Sequence, residues 1–129
     1  KMKEKQVKAL MIEPYKHPCV VELECDLDSL QKAVSIGAPE QGLIEFVYLE
    51  DNVSLMLNEE GKLIGLTPNR RYGQDILCGV FYVLGTDDEG EFTSLSPEEI
   101  ERYTKLFAKP DVIDPEEVGN SMLADIWVL

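Results

Sequence analysis

The spacing of hydrophobic positions along this chain changes several times, and each change marks an element. Val7 to Glu13 and Pro18 to Glu24 are apolar-rich runs separated by Pro14-Tyr15-Lys16-His17, which predicts a hairpin with a longer loop. Asp26 then precedes Leu27, Leu30, Ala33 and Val34, the spacing of one helical face, and Gly37 follows as a stop. A short helix is therefore expected over about 27–35. Leu43 to Leu49 alternates, with Ile44, Phe46 and Tyr48 on one side and Glu45 on the other, and Asp51-Asn52 turns it into Val53 to Leu57.

Glu59-Glu60-Gly61 reads as a turn in which glycine supplies a positive φ, with Lys62 to Leu66 resuming a strand. Pairing should end at Thr67-Pro68, because proline has no N–H to donate. Asn69, Arg70, Arg71, Tyr72 and Gly73 then form an irregular polar crossing. Ile76 to Leu84 is apolar on both faces and is the expected central strand, with Gly79 marking a bulge or a close approach. Ser96, Pro97 and Glu99 spell a capping box, Leu95 and Ile100 a hydrophobic staple, and Ile100, Tyr103 and Phe107 a buried stripe. Asp114-Pro115-Glu116-Glu117 repeats the cap, proline and acid pattern.

Together these elements predict one α+β domain over 1–129, with a core over about 7–108 and a C-terminal extension over 109–129. Its sheet should be mostly antiparallel, of about five or six strands, with two helices packed on one face. A length of 129 residues suits one real core. No apolar run is long enough for a membrane span and no secretory signal is apparent, so a cytoplasmic protein is expected. Met2 reads as the natural start. The apolar end, with Trp127, is expected to dock on the core or on a partner subunit.

Charge changes the picture most. The formal net charge is −13, from 25 acidic and 12 basic residues, which opposes direct contact with nucleic acid or anionic lipid. Such a surface either keeps the protein soluble or imitates nucleic acid toward a basic groove on a partner. The three cysteines and the single histidine restrict chemistry further. Cys19, Val21, Leu23 and Cys25 share one strand face, so the thiols read as core residues rather than metal ligands, and Cys78 reads the same way. Any hydrolytic triad would have to use His17. No metal, cofactor or catalytic constellation is expected, and Glu98, Glu99 and Glu101 suit the dipole of a helix start.

The order of strand pair, helix and strands, the run Asn58-Glu59-Glu60-Gly61-Lys62-Leu63-Ile64-Gly65-Leu66-Thr67-Pro68-Asn69-Arg70, then Ile76 to Gly85 and Phe92-Thr93-Ser94-Leu95-Ser96 resemble an uncharacterised bacterial family. It is catalogued as domain of unknown function three-eight-four-six. The resemblance covers about residues 7–108 and implies a setting in phages, plasmids and conjugative elements, without an activity.

Two function classes follow. The first is a non-enzymatic protein that binds and modulates a protein partner, or self-associates, through its acidic surface, including Asp87-Asp88-Glu89-Gly90-Glu91. The second is a small-ligand module in which Pro68-Asn69-Arg70-Arg71, with Lys62 and Tyr72, holds a nucleotide or other anion, since guanidinium forks suit bidentate anion recognition. The same segment is also readable as a turn with ordinary surface ion pairs.

Overall fold

The computed structural model describes residues 5–120; Met2 and Trp127 lie outside them. Eight strands and two principal helices follow one another: β1 (Gln6–Ile12), β2 (Cys19–Glu24), α1 (Leu27–Ala33), β3 (Ile44–Glu50), β4 (Val53–Asn58), β5 (Pro68–Tyr72), β6 (Asp75–Cys78), β7 (Phe81–Thr86), β8 (Phe92–Thr93) and α2 (Pro97–Leu106). A further helical segment occupies 115–120. The fold is α+β, built on a six-stranded sheet in the order β2-β1-β7-β4-β3, with β8 added to β7. Its pairings are antiparallel.

The expected hairpin is present, with Gln6 opposite Glu24 and Met11 opposite Cys19. Asp26 caps α1 by accepting from the Ser29 amide at 2.8 Å. In α2 the Ser96 side chain accepts from the Glu99 amide while the Glu99 carboxylate accepts from the Ser96 amide, so the capping box closes.

The helices cover opposite faces of the sheet, not one. Alternation along β1, β4 and β7 buries both parities: Val7, Ala9, Met56, Tyr82 and Leu84 pack with Leu30 and Val34 of the α1 layer. Leu10, Ile12, Val53, Leu55, Phe81 and Val83 pack with Tyr103 and Phe107 of the α2 layer. Central strands buried on both sides need a helix on each. A third, smaller cluster joins Leu66, Ile76 and Cys78 to Ile113 and Val118, so the segment after α2 lies on the domain.

The stretch between β4 and β7 departs most from its sequence pattern. Residues 60–65 are turns rather than a strand, and pairing begins at Pro68 instead of ending there. The expected polar crossing is β5, which pairs with β6 in a separate two-stranded sheet. The long apolar run over 76–84 is broken at Gly79, whose φ of +82° turns the chain from β6 into β7. Only the second half is the central strand. Gly61 has no positive φ; a side chain there would instead meet the Cys78 carbonyl oxygen at 2.9 Å. Its glycine is a close-approach residue.

Candidate functional site

Consecutive residues of a regular strand point to opposite sides, yet Asn69 and Arg70 are both buried, at 0% and 1% exposure. The cause is a register irregularity between Pro68 and Arg70 in the pairing with β6. It turns both side chains inward, where they clasp three separate parts of the chain. The Asn69 amide donates to the carbonyls of Ile12 (2.9 Å) and Gly79 (2.8 Å), joining the end of β1 to the β6–β7 corner. Its side-chain oxygen accepts from Arg70 Nη1 at 2.8 Å.

Each nitrogen of the Arg70 guanidinium donates. Nε and Nη2 reach the Phe107 carbonyl at 3.1 and 3.0 Å, and Nη2 also reaches the Lys16 carbonyl at 2.6 Å. Nη1 adds longer contacts to the carbonyls of Glu13 (3.4 Å) and Asn69 (3.3 Å). The planar fork thus caps the C-terminal end of α2, where carbonyls lack helical partners, and holds it to the β1–β2 loop. Burial pulls the guanidinium below its ordinary pKa, opposed by the charge of Asp111. His17 strengthens the same junction, its Nδ1 lying 3.1 Å from the Ala108 carbonyl, which accepts.

The other expected site residues are dispersed. Arg71 faces outward, where Nε and Nη2 form a fork with the Glu117 carboxylate at 3.1 and 2.9 Å, and its own amide donates to Asp111 at 2.8 Å. The Glu117 hydrogen bond raises its pKa. Tyr72 packs half-buried on the α2-side core, its ring 6.2 Å from that of Phe107. Lys62 lies apart, ion-paired with Asp75 in a cleft of about 260 Å³ shared with Glu45, Asn58, Glu59 and Gly61. Asn69 and Arg70 thus turn inward, Arg71 turns outward to Glu117, and Lys62 pairs with Asp75, the residue opposite Tyr72, so the polar groups of the segment are spent on separate partners. Val21, Leu23 and Cys25, just past β2, pack on the α1-side cluster as expected and Cys78 is buried, but Cys19 at the start of β2 is exposed, which corrects its assignment to the core.

The clasp falls within the stretch that defines the kinship of the chain. The family model described as Domain of unknown function (DUF3846) matches residues 7–108, most of the sequence. The chain belongs to the DUF3846 family. No curated protein and no solved structure matches it. In this DUF3846 chain Asn58, Gly61, Asn69 and Arg70 all make close contacts within the fold: Asn58 is buried and its side-chain oxygen accepts from the Glu60 amide at 2.9 Å, shaping the turn after β4.

What the DUF3846 chain does present outward is β3. Among the described residues this seven-residue strand closes one side of the sheet and pairs only with β4. Phe46 and Tyr48 are 47% and 68% exposed, and Leu43 just before the strand is 61% exposed. Phe46 stacks on Phe92 with ring centroids 5.8 Å apart, so the aromatic surface extends from the strand onto the sheet face. The alternation of Ile44, Phe46 and Tyr48 was visible in the sequence, but it carried no sign that this strand would be at an edge.

Proposed function

We propose that this domain is a protein-interaction module, acting without catalysis of its own on a partner protein. The observation that carries the reading is the β3 edge, which among the described residues has no second strand beside it and so offers backbone donors and acceptors next to exposed Phe46 and Tyr48. A net charge of −13 supports a partner of opposite sign. The family resemblance supports a bacterial mobile-element setting for that role. Among the described residues no helix is long and apolar enough to cross a membrane.

The small-anion reading has less support, because the guanidinium of Arg70 is committed to carbonyls and that of Arg71 to Glu117 and Asp111. Native mass spectrometry with a nucleotide panel, together with affinity capture from bacterial extract, separates the two. Stoichiometric retention of a protein by a nucleotide-free domain is expected. A retained nucleotide mass that disappears in Arg71→Ala or Lys62→Ala would overturn the reading.

A further inference from the structure

We infer that β3 accepts, as an added strand, an extended segment of the partner with apolar residues at alternate positions and basic residues at both flanks. The inference rests on the protein-interaction reading and names the partner's chemistry. An edge strand is a template for pairing, and natural edges are usually blunted by lysine, proline, shortness or bulges. The middle of β3, Phe46-Val47-Tyr48, contains no charge and no proline, and its register with β4 runs unbroken from Ile44 to Tyr48. The irregularity between Tyr48 and Glu50 sits at the far end and leaves the pairing of that stretch regular.

Side-chain parity fixes what the added strand meets. Phe46 lies opposite Met56 and shares the α1 side of the sheet, with Tyr48 two residues along. Val47 and Leu49 face the α2 side and pack partly on its core. A strand laid beside β3 would bring alternate apolar side chains against Phe46 and Tyr48, where aromatic and β-branched cross-strand pairs stabilise a sheet. Backbone hydrogen bonds would supply affinity and the alternate contacts specificity, as in strand addition generally.

Charge selects the occupant. At the Ile44 end, Glu45 and Glu59 share the lip of the cleft next to β3. At the other end Asp51 accepts from the Tyr48 hydroxyl at 2.8 Å, and Asp88 lies near Asn52. Glu50 is already engaged by Arg102 and Tyr103, so the flanking field comes from the others. Acidic ends around an apolar middle complement a segment with basic ends. They disfavour a second copy: antiparallel pairing of β3 with itself about Val47 would set Glu45 of each chain opposite Leu49 of the other and diagonal to its Asp51, like charges in molecules that each carry −13.

The test is selection of binders from a displayed library of random peptides long enough to cover β3, followed by affinity measurement on three proteins. These are the wild type, Phe46→Lys with Tyr48→Lys, and Val20→Lys on the opposite edge strand β2. Both sites are exposed, and melting curves check that each variant folds. The expected winners carry alternating apolar residues between basic flanks. Their affinity falls roughly tenfold or more in the β3 double variant, through lost aromatic contacts and like-charge repulsion. It weakens with salt and is unchanged in Val20→Lys.

Failure to select binders, winners without basic flanks, or binding indifferent to the β3 variant overturns the inference. So does a wild-type dimer in sedimentation that the β3 variant dissolves, because the occupant is then a second copy. A partner captured from extract equally by wild type and the β3 variant would sink the edge assignment and leave the interaction reading standing. Retention of a nucleotide with no partner would sink both.

Discussion

Replacing Arg70 by alanine removes the group that ties β5, the β1–β2 loop and the end of α2 together. Its shortest hydrogen bonds go to the Lys16 carbonyl at 2.6 Å, Asn69 Oδ1 at 2.8 Å and the Phe107 carbonyl at 3.0 Å. Hydrogen bonds from charged donors contribute roughly 1.5–3 kcal/mol each, and a stranded buried acceptor costs about 1–3 kcal/mol. A simple sum overshoots, because water entering the vacated space from the exposed Lys16 side re-solvates part of the carbonyl surface. The net loss expected for Arg70→Ala is about 3–5 kcal/mol. Against a domain stability of roughly 5–15 kcal/mol, that is a large fraction. It corresponds to a fall in Tm of about 10–20 °C for a chain of this size.

Arg70→Lys keeps the charge but not the planar fork, and should lose about 2–4 kcal/mol. Urea unfolding followed by far-ultraviolet circular dichroism measures both. The reasoning is refuted if Arg70→Ala stays within about 1 kcal/mol of wild type, the range of an ordinary surface substitution. It is refuted as well if Arg70→Lys is fully stable, since charge alone would then suffice.

Arg71→Ala, one residue along, removes a fork that is largely in solvent and should barely move the same unfolding curve; a loss matching Arg70→Ala would contradict the inside–outside assignment of β5. Gly61→Ala forces a methyl against the Cys78 carbonyl oxygen at 2.9 Å and should destabilise by about 1–3 kcal/mol, with an unchanged melting curve as the contrary result. At alkaline pH, Tyr82 and Tyr103, whose phenol pKa values burial pushes up to about 12, hold their protons in the folded state while the unfolded phenols ionise from about 10. Stability should therefore be intact below about pH 10 and decline toward pH 12, and Tyr82→Phe should flatten that decline in melting curves across the range.

Local signals carried far in this chain where the chemistry was local. The Ser96 cap with Glu99 and the Asp26 cap specify their helix starts within four residues, and the β1–β2 hairpin follows from two apolar runs and a loop. What depended on distant partners was not legible. An alternating pattern cannot say that both faces of β1, β4 and β7 will be covered, which is why the pattern predicts helices on one side where the structure has them on both. Gly79 interrupts an unbroken apolar run only because the β6–β7 corner needs a positive φ.

The same limit applied to the site. Adjacent arginines after a proline have the composition of an anion site, and the irregularity that turns Arg70 inward while Arg71 stays outside arises from pairing with β6. Carbonyls at positions 16 and 107 are its partners, far away in sequence. Likewise Phe46 and Tyr48 resemble core residues until the strand order leaves β3 at an edge.

Residue-resolved amide hydrogen exchange, with and without a peptide selected on the protein, tests the central claim most directly. Outward-facing amides between Ile44 and Glu50 should exchange quickly in the free protein and become protected when the peptide binds, while protection around Asn69 and Arg70 stays high throughout. New protection confined to Pro68–Tyr72, with β3 unchanged, would contradict the account and return the binding role to the arginine segment.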